Sequence, residues 1–97
     1  MNTPAAFAIA LRELRKAKKM SQEDFSDVCS RVYMSNLENA QKNPTLAMIE
    51  ELATQMNIHP LTLLLKTYSV KNPELSREQL MALAFAELDQ IKDANPT

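Results

Sequence analysis

The residues best suited to recognise another molecule lie in a short segment with helical spacing, residues 30–39. Met34 and Leu37 form a narrow apolar pair, so the rest of such a helix faces away from the core. That remaining surface carries Arg31, Val32, Tyr33, Ser35 and Asn36. Guanidinium, amide and hydroxyl groups can hydrogen-bond to base edges and phosphates, and a short helix fits the DNA major groove. The pattern therefore predicts a DNA-reading helix.

Residues that could perform enzymatic or metal chemistry are few. The chain has one His, one Cys and no Gly from which to build a phosphate-binding loop. Cys29 lies in an apolar seam with no neighbour that would lower its pKa, so we expect it to pack in the core. His59 precedes Pro60 and is expected to cap a helix. We expect neither an enzyme nor a metal site, and no cofactor.

The composition predicts one all-helical domain. The 97 residues include no Gly and many Ala, Leu, Met, Glu, Lys and Gln, which favour helices. The formal net charge is -1, but residues 1–45 carry seven basic and five acidic side chains, whereas residues 46–97 carry four and seven. The small basic excess coincides with the predicted reading segment, which favours a nucleic-acid partner.

The location of the protein is predicted from what its sequence lacks. No apolar run approaches the ~20 residues needed to cross a bilayer. In the first stretch, MNTPAAFAIALRELRK, the charges follow the apolar part, which is the reverse of a signal peptide. The single Cys fits a reducing compartment. We expect a cytoplasmic protein that does not enter a membrane.

Apolar spacing and N-cap residues predict six helices. The expected caps include Thr3, Ser30, Thr45, His59 and Ser76. They cover about residues 4–18, 22–29, 31–39, 46–56, 60–68 and 76–93. Asn57 is expected to take the left-handed conformation that Gly usually supplies after a helix. Ser76 and Gln79 are expected to form a capping box. We predict a binding domain over 1–68, a short linker over 69–75, a C-terminal helix over 76–93 and a frayed tail over 94–97.

The sixth predicted helix has an apolar arc wider than one docking stripe requires. Either this helix only covers the preceding domain, or it also pairs with a second copy of the chain. We expect a homodimer, because small DNA-reading domains usually bind as two-fold pairs. The expected interface residues are Leu80, Ala84, Phe85, Leu88 and Ile91.

Three motifs occur in an order that resembles a known family. SQEDF opens the second predicted helix, SRVYMSNLENAQKNPTL covers the third helix and the turn after it, and LATQMNI ends the fourth. Together they resemble the helix-turn-helix domain of the lambda repressor/Cro (XRE) family over roughly residues 7–68. The resemblance implies an all-α, five-helix domain that binds double-stranded DNA, with the C-terminal helix added to it.

The resemblance also implies roles for individual residues. Arg31, Val32 and Asn36 match the positions from which family members contact base edges, which would be a guanine, a thymine methyl and an adenine respectively. The full set expected to contact DNA is Gln22, Ser30, Arg31, Val32, Tyr33, Ser35, Asn36, Asn39, Gln41, Lys42 and Asn43. Three alternatives stay open: Tyr33 packs against a neighbouring helix, Gln22 is an ordinary exposed residue, and residues 39–43 form a plain polar turn.

A structural ion pair is a further implication of the resemblance. Arg15 lies six residues before Ser21, where the family commonly has an Arg that pairs with the Glu ending the reading helix, here Glu38. We expect a partly buried Arg15–Glu38 pair that clamps the first helix to the reading helix.

Two departures from the family pattern keep two functions open. The family usually has about two more residues between its second and third helices, and it usually has Gly where Ala40 stands. The first hypothesis is a sequence-specific transcriptional regulator that represses as a homodimer on a palindromic operator. The second is a protein-interaction module, or an antitoxin-like protein that binds a partner, using the same fold. The departures and the acidic balance favour the second hypothesis, but we expect the first, with the second as the alternative.

Overall fold

The polypeptide folds into helices joined by short turns, and the computed structural model describes residues 1–91. In chain order these are α1 (Thr3–Ala17), a 3₁₀ helix (Gln22–Phe25), α2 (Arg31–Glu38), α3 (Leu46–Gln55), α4 (Pro60–Lys71) and α5 (Arg77–Ile91). No strand occurs within residues 1–91, and the predicted all-α class is confirmed. The predicted end of the last helix at residue 93 and the predicted frayed tail over 94–97 lie outside the described residues.

Side-chain caps determine where the α-helices begin. Asn2 Oδ1 accepts a hydrogen bond from the Ala5 N–H at 2.9 Å, so α1 begins one residue earlier than the predicted Thr3 cap allows. The other four α-helices are capped at the positions expected from sequence, Ser30, Thr45, His59 and Ser76. Each cap satisfies a backbone N–H that the first helical turn leaves without a partner.

The hydrophobic core lies where α1 packs along α4, with α2, α3 and the 3₁₀ helix closing around it. Its largest fully buried apolar side chains are Phe25, Leu11, Met34, Leu37, Leu52, Met56 and Leu63. Burying one such side chain stabilises the fold by about 1.5–3 kcal/mol. Because Met34 and Leu37 are both in this cluster, the core fixes which face of α2 points inward.

The second predicted helix is much shorter than expected. The prediction was a helix over residues 22–29, whereas the structure has a 3₁₀ helix over Gln22–Phe25 followed by a turn. Phe25 is fully buried, and the N–H groups of Val28 and Cys29 both donate to its carbonyl, at 2.9 and 3.0 Å. The segment contains Asp24, Ser26 and Asp27, which are weak helix formers. Residues predicted to be helical therefore form the turn that leads to α2.

Three helices end with a residue in the left-handed region, although the chain has no Gly. Lys19, Ala40 and Asn57 have φ of 58°, 61° and 58° after α1, α2 and α3, and the predicted role of Asn57 is confirmed. After α2, the Ala40 N–H donates to Leu37 O at 3.2 Å and the Gln41 N–H donates to Asn36 O at 2.9 Å. This is the paired bonding of a Schellman motif, in which Gly is normally preferred.

We expect Ala40→Gly to stabilise the protein by about 1 kcal/mol, because a Cβ is disfavoured at positive φ and Gly removes that cost. The free energy of unfolding from urea denaturation measures the gain. Ala47→Gly, the same change in the first turn of α3, is the control and should not stabilise. A loss of stability at position 40 equal to that at position 47 would contradict the argument.

The last helix, α5, extends away from the other helices. It contacts α4, yet none of its residues is buried. The Cα radius of gyration is 14.9 Å, against about 12.5 Å for a compact domain of this length. Helix α4 runs to Lys71, three residues into the predicted linker, so the connection to α5 is only residues 72–76.

Candidate nucleic-acid interface

Helix α2 has one face in the core and the opposite face in solvent. Met34 and Leu37 are fully buried and Glu38 is nearly so. At 3.6 residues per turn, Val32 and Asn36 lie on the side opposite these three residues. The exposed fraction of Val32 is 70%, and Asn36 is half-buried. The outward face of α2 is therefore accessible over about one helical turn, most openly at Val32.

The last residue of α2 is anchored by a cluster of polar side chains, which we call the Glu38 cluster (Arg12, Arg15, Gln22 and Glu38). Arg15 Nε donates to Glu38 Oε2 at 2.6 Å and Arg15 Nη2 donates to Glu38 Oε1 at 2.9 Å, which is a bidentate pair. Gln22 Nε2 donates to Glu38 Oε1 at 3.1 Å. Arg12 Nη2 donates to the Glu38 carbonyl at 2.8 Å. The carboxylate and the end of α2 are thus held from two other elements at once.

Arg15 also fixes the turn that leads into the 3₁₀ helix. Its Nη1 donates to the Met20 carbonyl at 2.8 Å. One guanidinium therefore joins α1, the turn after it and the last residue of α2. Planar Arg is suited to this role, because its N–H groups form a rigid fork that matches a carboxylate.

The ion pair stays charged although it is shielded from solvent. Burial raises the pKa of the Glu38 carboxyl, but the hydrogen bonds from Arg15 and Gln22 and the charges of Arg15 and Arg12 lower that pKa, and the net pKa lies below its ordinary value. The hydrogen bond with Glu38 raises the pKa of the Arg15 guanidinium, against the effect of burial. Both residues are therefore ionised at neutral pH.

The lowered pKa of Glu38 makes stability depend on pH. A depressed carboxyl pKa stabilises the fold above its unfolded pKa of about 4.3, and this stabilisation is lost as the pH falls through the lower folded pKa. We expect the free energy of unfolding of the wild type to fall more steeply below about pH 4.3 than that of Glu38→Gln. Parallel slopes in urea titrations would contradict the expectation.

Several predicted DNA-contacting residues have internal partners. Ser30 Oγ accepts from the Tyr33 N–H at 3.0 Å, and Ser35 Oγ accepts from Asn39 Nδ2 at 3.3 Å. Tyr33 is half-buried and packs against the core, which supports the packing alternative for its ring. The Gln22 amide nitrogen belongs to the Glu38 cluster, so a phosphate contact from Gln22 stays a prediction.

Arg31 begins α2 and is exposed, but its guanidinium has a partner. Arg31 Nη1 lies 3.1 Å from Glu23 Oε1, and the two side chains are 75% and 70% exposed. Glu23 is the second residue of the 3₁₀ helix. The structure therefore places the Glu23 carboxylate beside Arg31, the residue predicted to contact a guanine.

The segment after α2 is open to solvent. Residues 41–45 have no regular secondary structure, and Gln41, Lys42 and Asn43 are exposed. They directly follow the Schellman turn at Ala40, so this segment and the outward face of α2 lie next to each other along the chain. Backbone contacts from these residues stay a prediction.

Sequence analysis did not identify two residues of this site, Arg12 and Glu23. Arg12 is one turn before Arg15 on the same face of α1, and this spacing could have suggested a second contact to the Glu38 region. Glu23 was passed over because nothing in the sequence places it against Arg31.

The remaining chemistry-bearing groups lie apart from this site. Cys29 is half-buried against the core, and burial together with the charge of Glu51 raises its pKa. Among residues 1–91, no group of three or more His, Cys, Asp or Glu side chains is arranged to hold a metal ion. No helix in the described part of the chain has the length and apolar character needed to span a membrane.

Taken together, the fold and the site define an all-helical domain that secures a short helix from behind and presents its polar face outward, as helix-turn-helix DNA-binding proteins do. A helix-turn-helix family model matches residues 11–63, which is more than half of the chain. The chain belongs to the lambda repressor/Cro-like (XRE) helix-turn-helix family, as its motifs predict. It is a DNA-binding regulator, and such proteins are generally not enzymes. No curated protein and no solved structure matched it.

Proposed function

We propose that the protein is a sequence-specific transcriptional repressor that acts in the cytoplasm by occupying a palindromic operator as a homodimer. The observation that carries this proposal is the solvent-exposed part of α2: Val32 is exposed and Asn36 half-buried on its outward face, and Arg31 is exposed at its first residue. These side chains offer a guanidinium, an apolar surface and an amide to the base edges in a major groove.

The positions of the exposed polar residues indicate which would contact phosphates and which would contact bases. Lys42 and its polar neighbours Gln41 and Asn43 are exposed beside α2, where they would contact phosphates and set the register of the helix. Arg31, Val32 and Asn36 would then discriminate between bases. The Glu38 cluster keeps α2 at a constant angle, which is what a reading helix requires.

Helix α5 supports the dimeric part of the proposal. Phe85, Leu88 and Ile91 are 58%, 60% and 61% exposed, and Leu80 and Ala84 share their side of the helix. An apolar arc this exposed favours burial against another surface. A second copy would supply that surface and would place two α2 helices on half-sites about 34 Å apart.

The same apolar arc supports a second candidate function. A different protein could occupy α5, and the chain would then act as an interaction module or as an antitoxin-like protein that binds both a partner and its own promoter. A gel shift with the DNA upstream of its own gene separates a pure interaction module, which would not bind, from the regulator.

Selection of bound duplexes from a random pool tests the proposed function. We expect enrichment of a palindrome whose half-sites are separated by about one helical turn. Recovery of no enriched sequence would contradict a sequence-specific regulator, and an enriched site without symmetry would contradict the dimer.

Two substitutions should separate base reading from phosphate binding. We expect Arg31→Ala to lose about 1–3 kcal/mol of discrimination at one base pair of the selected site. Lys42→Ala should weaken all duplexes alike and reduce the dependence of affinity on salt. Titrations on the selected and on random duplexes measure both effects. Equal losses on the two duplexes for Arg31→Ala would contradict its role.

A further inference from the structure

The ion pair between Glu23 and Arg31 lies at the start of the predicted reading helix. It joins the 3₁₀ helix to the first residue of α2, with Arg31 Nη1 and Glu23 Oε1 3.1 Å apart. Both side chains are mostly exposed. A pair as exposed as this changes an equilibrium constant only about one- to fivefold, so it adds little to stability. The pair does, however, occupy the guanidinium that would otherwise be available to DNA.

What Arg31 can gain on DNA depends on the sequence it meets. On a duplex without a guanine in reach, the alternative partner for Arg31 is a phosphate, which exchanges one exposed ion pair for another. On a duplex with a guanine at the right step, Arg31 can donate two hydrogen bonds to O6 and N7. Release of Arg31 from Glu23 is therefore favourable only on a duplex that presents such a guanine.

From this geometry we propose that Glu23 is a positioning residue that competes with DNA for Arg31: it holds Arg31 away from phosphates on non-cognate DNA and releases it only to a guanine. Glu23 thereby lowers the salt dependence of non-cognate binding and the affinity for the cognate site. The inference rests on the proposed function, because it presupposes that α2 reads bases. Glu23 itself contacts no DNA and acts through Arg31. In non-cognate complexes the protein consequently makes one phosphate contact fewer than its basic residues would allow.

The test compares Glu23→Gln with Asp27→Asn in the full chain. Asp27 is exposed in the turn that follows the same 3₁₀ helix and has no ion-pair partner among residues 1–91. Each substitution removes one negative charge, so both change the net charge equally. Binding is measured across a salt series with two probes, the duplex selected from a random pool and a random-sequence duplex of the same length. Circular dichroism checks that both variants stay folded.

For Glu23→Gln we expect the slope of log affinity against log salt on random DNA to steepen by about 1, because Arg31 gains a phosphate contact. The slope on the selected duplex should not change, and the affinity for that duplex should rise by up to about fivefold relative to Asp27→Asn, because Arg31 no longer has to leave an ion pair. In an Arg31→Ala background, Glu23→Gln should behave like Asp27→Asn.

Two results would overturn the inference while leaving the regulator intact. In one, Glu23→Gln and Asp27→Asn have the same effects on both duplexes, and Glu23 is then an ordinary surface charge. In the other, Glu23→Gln weakens binding to the selected duplex, and Glu23 then supports Arg31 during reading. If the wild type enriches no sequence from the pool, the proposed function and the inference fail together.

Discussion

Glu38→Gln should lower the free energy of unfolding by about 3 kcal/mol or more, because it leaves the buried Arg15 guanidinium without a counter-charge. The change keeps the shape of the side chain, so the loss reports charge rather than packing. Urea denaturation at neutral pH measures the effect. Since the Glu38 cluster also fixes the end of α2, the variant should bind the selected duplex more weakly than the wild type.

A matched control comes from an exposed ion pair. Lys66 Nζ lies 2.8 Å from Glu13 Oε1, and the two side chains are 39% and 56% exposed, so Glu13→Gln should cost less than about 1 kcal/mol. A double-mutant cycle between Arg15 and Glu38 then isolates their coupling. A coupling near zero, or a loss for Glu38→Gln no larger than that for Glu13→Gln, would show that the pair does not clamp α2.

Leu88→Glu should weaken binding to the full palindrome by about a hundredfold or more, because it puts a charge in the apolar arc of α5 and separates the two reading helices. Affinity for a single half-site should stay close to that of the wild type. Titration of both duplexes, with sedimentation of the free protein at micromolar concentration, measures the two effects.

The control for this prediction lies on the same helix. Ala86 is exposed on the side of α5 opposite Leu88, so Ala86→Glu introduces the same charge without touching the apolar arc. It should leave both the association state and the affinity unchanged. A wild-type protein that sediments as a strict monomer would remove the dimer, as would equal effects of the two variants.

Sequence reasoning performed best where local chemistry decides the structure. The caps at Ser30, Thr45 and His59 and the left-handed Asn57 follow from short-range rules, and the structure has all four. The Arg15–Glu38 contact came from family resemblance, since two residues 23 positions apart carry no local signal of contact.

Long-range constraints explain what the sequence did not reveal. The segment over 22–29 has helical apolar spacing, but its weak helix formers are compatible with either a helix or a turn, and the burial of Phe25 in the core favours the 3₁₀ helix and turn that the structure has. The bond from Arg12 goes to a backbone carbonyl, which no residue type reveals. The Glu23–Arg31 pair depends on that same shortened segment, so it could not be predicted before the segment was known.

The shortened segment also bears on the choice between the two functions. The missing residues before α2 favoured a protein that had lost DNA reading. In the structure the shortening falls in the second element, which is only a 3₁₀ helix and a turn. Helix α2 keeps its buried side, its N-cap and its exposed face. The left-handed turn after α2 forms with Ala40 in place of Gly. Neither departure removes the features that a reading helix needs.

Methylation of guanine N7 tests the central claim most directly, because N7 lies only in the major groove and is the atom that Arg31 is expected to contact. On the selected duplex, methylation of one guanine in each half-site should block the wild type, while Arg31→Ala should bind the methylated and unmethylated duplexes alike. Wild-type binding that no major-groove methylation disturbs would contradict the docking of α2 in that groove.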